Sequence, residues 1–197
     1  MSFPNIVYYI NLKHRTDRKQ HIEKELKKVG ISNYIRFDAI YDEEGWRGCT
    51  NSHIQILEKF IESDLNTCLI LEDDFYFVDY DQSKKILSEF SELDIDWDIV
   101  LLTCNCKETN PTNINYLVKP NMLAMTTAGY IVNKKFAKVL CENFKKSIEA
   151  SEPLDVYWKI LQTDEKYNWY IFEPRLGRQL KGYSDIQKKY VNYKKYL

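Results

Sequence analysis

The stretch Thr67-Cys68-Leu69-Ile70-Leu71-Glu72-Asp73-Asp74 is a short apolar run followed at once by three acids. A continuous apolar run of this length reads as a strand buried on both faces, as in parallel sheets. Three carboxylates crowded at its end repel one another unless a cation or a basic group compensates them. A hard divalent ion does this, and Mg²⁺ or Mn²⁺ suits carboxylates combined with substrate phosphates. A solvated strand end with an aspartate capping a turn accounts for the same residues, so the triplet alone leaves both readings open.

The segments around it repeat one pattern. Residues 5–12 (NIVYYINL), 34–40 (YIRFDAI), 97–103 (WDIVLLT) and 168–172 (NWYIF) read as further strands. Between them lie helical patterns: one entered at Thr16 with Ile22, Leu26 and Val29 inward and Gly30 as its stop, and one from about residue 50 with Ile54, Leu57 and Ile61. Asp81 is the expected cap of a third, and residues 134–150 and 154–161 supply two more. Residues 42–48 (DEEGWRG) and 104–115 read as loops, and 121–133 as one or two strands. Strands alternating with helices call for an α/β domain with a mainly parallel central sheet flanked by helices. In such sheets the ligand site lies at the carboxyl ends of the strands.

The chain has 197 residues, within the range of one domain. Its 28 Lys+Arg against 29 Asp+Glu give a net charge of −1, which argues against nucleic-acid binding by phosphate neutralisation. No apolar run reaches the length of a membrane span, and the first residues have no signal-peptide character. The basic, tyrosine-rich residues 188–197 read as a solvated end. Five cysteines without zinc-type spacing read as reduced, mostly buried thiols, so the expected location is cytoplasmic.

Two other places carry chemistry. Asn11 leaves the first strand, Arg15 follows in the turn, and Arg18 falls in the first helical turn, a placement suited to an anion. Arginine occurs only at 15, 18, 36, 47, 175 and 178 in a lysine-rich chain, which makes each one notable. In Gly48-Cys49-Thr50-Asn51-Ser52-His53, the histidine is a polar residue on an otherwise apolar helical turn, and a hydrogen-bonded core histidine fits it well. P-loop, dinucleotide-binding, serine-hydrolase and HExxH patterns have no counterpart here.

Taken together, INLKHRTDR (10–18), GCTNSH (48–53), LILEDD (69–74), TAGYIV (127–132), PLDVYW (153–158) and the set Gln179, Ser184, Asp185 resemble glycosyltransferase family 25. That family includes lipooligosaccharide galactosyltransferases and collagen hydroxylysine galactosyltransferases. The motifs occur in family order over roughly residues 6–186. The resemblance implies a GT-A type nucleotide-binding fold, with a donor-binding half to about residue 103 and an acceptor-side half from about 104. It also implies inverting transfer of a hexose, galactose or glucose, from a nucleotide sugar such as a UDP-sugar, with Mn²⁺ or Mg²⁺ as cofactor. The acceptor would be a glycan, a lipid-linked saccharide or a hydroxylysine-type group. By motif position, Glu72, Asp74 and Asp185 are expected at the metal. Asn11, Arg15, Arg18, Ser52, His53, Asp73, Gln179 and Ser184 are expected at the donor. Asp155 is expected as the general base, held ionised by its place in a first helical turn. Trp46 stands where the family often has an acid, and no histidine lies beyond residue 53 to complete a metal site, so Gln179, Asp185 or water serves as its last ligand. A catalytically silent nucleotide-sugar or glycan-binding module is the rival reading, and a metal-dependent phosphatase or nuclease a more distant one.

Overall fold

The computed structural model describes residues 3–106, 108–121 and 123–192. In chain order the first half runs β1 (Ile6–Asn11), α1 (Thr16–Lys28), β2 (Ile35–Asp38), α2 (Gly45–Glu62), β3 (Thr67–Glu72), β4 (Phe75–Phe77), α3 (Tyr80–Ser91) and β5 (Ile99–Leu101). The second half runs β6 (Thr109–Pro111), β7 (Leu117–Pro120), β8 (Gly129–Asn133), α4 (Lys134–Glu149), α5 (Leu154–Tyr157), α6 (Lys159–Gln162), β9 (Trp169–Phe172), β10 (Gly177–Gln179), β11 (Gly182–Ser184) and β12 (Lys189–Val191). Eight strands form one sheet in the order β2-β1-β3-β8-β5-β9-β7-β6.

Following the pairings across this sheet, six of the eight strands point the same way; β8 and β7 run against them. The sheet is thus mainly parallel in strand direction. The antiparallel β8 separates β3 from β5, where simple alternation would place neighbouring parallel strands.

The two-residue period of the strands sorts their side chains between two helical layers. Tyr8, Ile10, Cys68, Ile70 and Tyr130 face α2 and α4, packing with Ile54, Leu57, Phe60, Leu140 and Phe144. Val7, Tyr9, Leu69, Leu71 and Ile131 face α1 and α3, packing with Ile22, Leu26, Ile86, Leu87 and Phe90. Each such side chain contributes about 1.5–3 kcal/mol on burial. This alternation reaches the acids: Glu72 continues the α2 side and Asp73 the α1 side. No helix among the described residues is long and apolar enough to cross a membrane.

Several boundaries differ from the sequence reading. Helix α2 begins at Gly45, inside the expected loop 42–48. The reason is close packing at Gly48, where an added Cβ would lie 2.4 Å from the Ile40 carbonyl oxygen. The helix therefore crosses the chain leaving β2 with no room for a side chain. The cap of α3 is Asp79, whose side chain accepts from the Gln82 N–H at 2.9 Å, and Asp81 lies in the first turn. Thr16 is the first residue of α1 and does not cap it; Arg15 holds the cap position without a side-chain bond. The expected loop 104–115 contains β6, and the expected helix 154–161 is split into α5 and α6. Of the tail, residues 193–197 lie outside the described residues.

Gly48→Ala should lower stability by about 1–3 kcal/mol, the cost of overpacking a site that cannot yield. Gly182→Ala, where an added Cβ meets nothing within 4 Å, should stay within about 0.5 kcal/mol of wild type. Urea denaturation midpoints check the contrast, and equal effects of the two substitutions would contradict the packing described.

Candidate functional site

The carboxyl ends of β1 and β3 are neighbours, with Ile10 opposite Glu72 in parallel register. Asn11 and Asp73 therefore leave their strands side by side. The Asn11 amide donates to Asp73 Oδ2 at 2.7 Å and to the Arg15 carbonyl at 3.0 Å, so one buried asparagine ties the strand end to the following turn. Its own oxygen accepts from Arg36 Nε at 3.0 Å. Arg18, on the first turn of α1, reaches back to the acids. Its Nη1 lies 3.0 Å from Asp73 Oδ1 and 3.3 Å from Asp74 Oδ2, and its Nη2 donates to the Tyr183 carbonyl at 2.8 Å.

Asp74 and the C-terminal strands are also joined. The Leu180 N–H donates to the Asp74 carbonyl at 2.8 Å, and β10 pairs antiparallel with β4 directly after the acids. Gly177 makes this approach possible, because a Cβ there would fall 2.0 Å from the Phe75 ring. The Gln179 amide points at Asp74 Oδ1 at 3.5 Å, a long contact, while its Oε1 accepts from the Thr126 hydroxyl at 2.9 Å. The Thr126 N–H donates to Asp155 Oδ2 at 3.1 Å. Thr126 thus links Gln179 to Asp155, and it does so at φ +77°, a backbone conformation that costs a β-branched residue energy. Thr127, the next residue, donates its hydroxyl to Glu72 Oε1 at 2.9 Å.

The remaining expected residues divide between two regions. Arg15 grips Asp17 with two bonds, at 3.1 and 2.9 Å, and pairs with Asp185 through its other guanidinium nitrogen. Asp185 lies in the turn between β11 and β12, and Ser184 caps that turn by accepting from the Gln187 N–H at 3.1 Å. The structure brings Asp185 to Arg15, with His14 Nε2 at 3.8 Å, while the partners of Asp74 are Arg18 and Gln179. Ser52 spends its hydroxyl on the backbone: it donates to the Gly48 carbonyl at 2.8 Å and accepts from the Ile40 N–H at 2.9 Å. His53 is fully buried, its Nδ1 at 2.9 Å from the Tyr130 hydroxyl and its Nε2 at 3.7 Å from Glu72 Oε1.

Burial dominates the electrostatics of the acids. It pushes Asp73 upward against the opposing pull of Arg18 and Asn11. It pushes Asp74 up to about 7, with the charge of Glu72 adding to the effect and Arg18 opposing it. One guanidinium thus leaves the Glu72–Asp74 pair short of positive charge. These oxygen donors fit a hard divalent cation, whereas Asp73 is already engaged by Asn11 and Arg18. Asp155 is likewise raised by burial, with the Thr126 N–H acting in the opposite direction. This corrects the expectation that its helix start would dominate: α5 has a single turn and the carboxyl lies mostly out of water.

The sequence profile of Glycosyltransferase family 25 (LPS biosynthesis protein) matches residues 43–158, more than half of the chain. The chain belongs to glycosyltransferase family 25. Relatives include Procollagen galactosyltransferase 1-A of Xenopus laevis, 26% identical over an alignment covering 80% of this chain and 31% of that protein. A Glycosyltransferase 25 family member of Aedes aegypti is 25% identical, with 74% of this chain and 25% of that protein covered. The chain thus spans about a third or less of the length of these family 25 relatives. Among solved structures, a glycosyltransferase involved in the glycosylation of the major capsid of PBCV-1 superposes with a TM-score of 0.50 at 12% identity, covering 84% of this chain and 80% of that one. A197 from STIV superposes with a TM-score of 0.52 at 15% identity, covering 94% and 92%. This likeness is one of fold, the GT-A type α/β architecture expected of family 25.

Arg36, Thr126, Thr127 and Tyr130 are site residues that the sequence reading did not select. Thr126 adjoins the TAGYIV motif, and Thr127 and Tyr130 lie within it, but no spacing rule reveals a positive φ or a bond to Glu72.

The raised Asp74 sets a pH dependence for the metal-free protein. A carboxyl whose folded pKa exceeds its unfolded value binds protons more tightly when folded. Stability should therefore fall as pH rises from about 4 to about 7, the interval between the ordinary carboxylate value and that of Asp74. Asp74→Asn removes this component and should melt a few degrees higher than wild type at pH 8 in EDTA. Thermal melts at pH 5 and 8 measure it; a variant less stable than wild type at pH 8 would show that Asp74 is already compensated.

Proposed function

We propose that this chain transfers a hexose, galactose or glucose, from a UDP-type nucleotide sugar to a hydroxyl group, with inversion and with Mn²⁺ or Mg²⁺ as cofactor. The observation that carries the reading is the short bridge from Asp74 through Gln179 and Thr126 to Asp155. It ties an acid cluster suited to a metal–diphosphate to a separate carboxylate suited to a base, both at the carboxyl end of the sheet. Family membership and the names of the galactosyltransferase relatives support the choice of chemistry.

Glu72 and Asp74 are the residues that would hold the cation, which when bound neutralises charge on the departing nucleotide diphosphate. Asp73, fixed by Asn11 and Arg18, orients the ribose and diphosphate side of the donor. Arg15 and Arg18 place positive charge beside that position, held there by Asp17 and Asp185 and by Asp73 and Asp74, and this charge suits phosphate oxygens. Asp185 acts by holding Arg15 and closing the β11–β12 turn over the N-terminal motif. Ser52, Ser184 and His53 act by position: Ser52 sets the chain after β2, Ser184 sets the turn, and His53 backs Glu72. Gln179 spaces Asp74 from Thr126.

Asp155 accepts the proton of the acceptor hydroxyl as attack proceeds on the face opposite the phosphate. Its burial raises the pKa towards working pH, which suits a general base better than a strongly ionised surface acid. The Thr126 N–H holds one carboxylate oxygen, leaving the other available for the proton. The acceptor class consistent with the family is a glycan, a lipid-linked saccharide or a hydroxylysine-type side chain.

A panel of UDP-galactose, UDP-glucose, UDP-N-acetylglucosamine and GDP- and CMP-sugars, incubated with Mn²⁺, should show nucleotide release from one UDP-hexose above the others. Donor hydrolysis needs no acceptor. Asp155→Asn should keep UDP affinity within about twofold and lower turnover by about 10²–10⁴, the range for loss of a general base. Wild-type turnover in Asp155→Asn would place the base elsewhere, and loss of UDP binding would make Asp155 a donor-site residue.

A further inference from the structure

On the α2 side of Glu72 three side chains converge that differ in chemistry from the acid cluster. Cys49 and His53 stand four residues apart on α2, a spacing that puts them on one face. The Cys49 sulfur, a His53 ring nitrogen and a Glu72 carboxylate oxygen all lie within 4.8 Å of one another. His53 has no exposed surface, and its Nε2 has no hydrogen-bond partner. A buried polar atom left in this way costs about 1–3 kcal/mol, so its persistence calls for a partner. Glu72 Oε1 lies 3.7 Å from it.

The other ring nitrogen is spoken for. Nδ1 lies 2.9 Å from the Tyr130 hydroxyl, and the two rings stack at 5.7 Å with 19° between planes. In the tautomer in which Nδ1–H donates to the Tyr130 oxygen, the lone pair is left on Nε2, which faces Glu72. Fixing a ligand histidine through its second nitrogen is the usual way a protein orients it for a metal. Thr127, which donates to Glu72 Oε1, restrains the carboxylate in the same manner.

We propose that Cys49 Sγ, His53 Nε2 and Glu72 form a binding site for Zn²⁺, with water as the fourth ligand. One sulfur, one imidazole nitrogen and one carboxylate oxygen form a borderline-soft set that selects zinc over Mg²⁺ or Mn²⁺. Zn–S and Zn–N bonds of about 2.3 and 2.0 Å require these ligand atoms to draw together by about 1 Å, within reach of rotamer adjustment. Binding displaces the thiol proton of Cys49 to solvent, so the sulfur enters as thiolate. Zinc in this place also takes Glu72 away from the donor-side cation. That consequence, inhibition of Mn²⁺-dependent donor binding by zinc, rests on the function proposed above; the zinc site itself does not.

The test uses the reduced, full-length chain and Zn²⁺ competition against a chromophoric chelator. Wild type should bind one Zn²⁺, and Cys49→Ser should bind it at least about 100-fold more weakly, beyond the ~10–100-fold expected for Tyr130→Phe. Asp74→Asn should bind zinc within about threefold of wild type. Co²⁺ in place of zinc should give a thiolate-to-cobalt charge-transfer band that Cys49→Ser lacks. Cys49→Ala provides the same comparison if the serine variant folds poorly. Zinc should weaken Mn²⁺–UDP binding in wild type and not in Cys49→Ser. No stoichiometric zinc in wild type, or wild-type zinc affinity in both Cys49 variants, overturns the proposal. Loss of UDP binding in Asp74→Asn with zinc binding intact would bear on the donor site alone.

Discussion

Three carboxylates at the end of one buried strand are the constraint around which this molecule is organised. Strand β3 can end in Glu72-Asp73-Asp74 only because neighbouring elements supply compensation from both sides. From the N-terminal side come the Asn11 amide and the Arg18 guanidinium. From the C-terminal side comes the Gln179 amide, brought in by the pairing of β10 with β4 and by the Leu180 N–H bond to the Asp74 backbone carbonyl. Burial, with the charge of Glu72 added, outweighs this compensation and pushes Asp74 up to about 7. A protein selected for stability alone would place apolar or neutral residues there. Electrostatic strain of this kind at a strand end supports the cation proposed there.

The sheet's two-faced alternation then divides the work. Asp73 falls on the α1 side with the arginines, and Glu72 on the α2 side with His53, Thr127 and Cys49. The insertion of β8 between β3 and β5 brings the segment before it, Thr126 and Thr127, up against the acids. Thr126 holds φ +77° there, and its two bonds, to Gln179 and to Asp155, connect β10 with the start of α5. Both contacts use this residue in its positive-φ conformation, which a β-branched side chain adopts at a cost.

Much of this was legible in the sequence where local chemistry decides. The apolar run 67–71 and the acids after it specify β3 and its charged end, and Asn11, Arg15 and Arg18 follow from the next strand and helix start. What escaped was set by tertiary contact. Gly45 and Gly48 read as loop residues, yet both lie in α2, Gly48 packed on the Ile40 carbonyl and Gly45 on the backbone of Asp185 and Ile186. Asp155 reads as an acid stabilised by a helix start, but burial governs it. Ser52 reads as a donor contact and is consumed by two backbone groups. Arg15 and Asp185, 170 residues apart, meet only because the β11–β12 turn folds back over the first strand's end. No periodicity or spacing encodes such a pair.

The proposed chemistry depends on the acids at the end of β3 holding a nucleotide diphosphate through a divalent cation. Isothermal titration of UDP into the protein, with Mn²⁺ and then with EDTA, tests it most directly when wild type is compared with Asp74→Ala. Wild type should bind UDP only with Mn²⁺, and Asp74→Ala should not bind it at all while its circular dichroism spectrum stays that of the folded chain. UDP affinity that is the same with Mn²⁺ and with EDTA would contradict it.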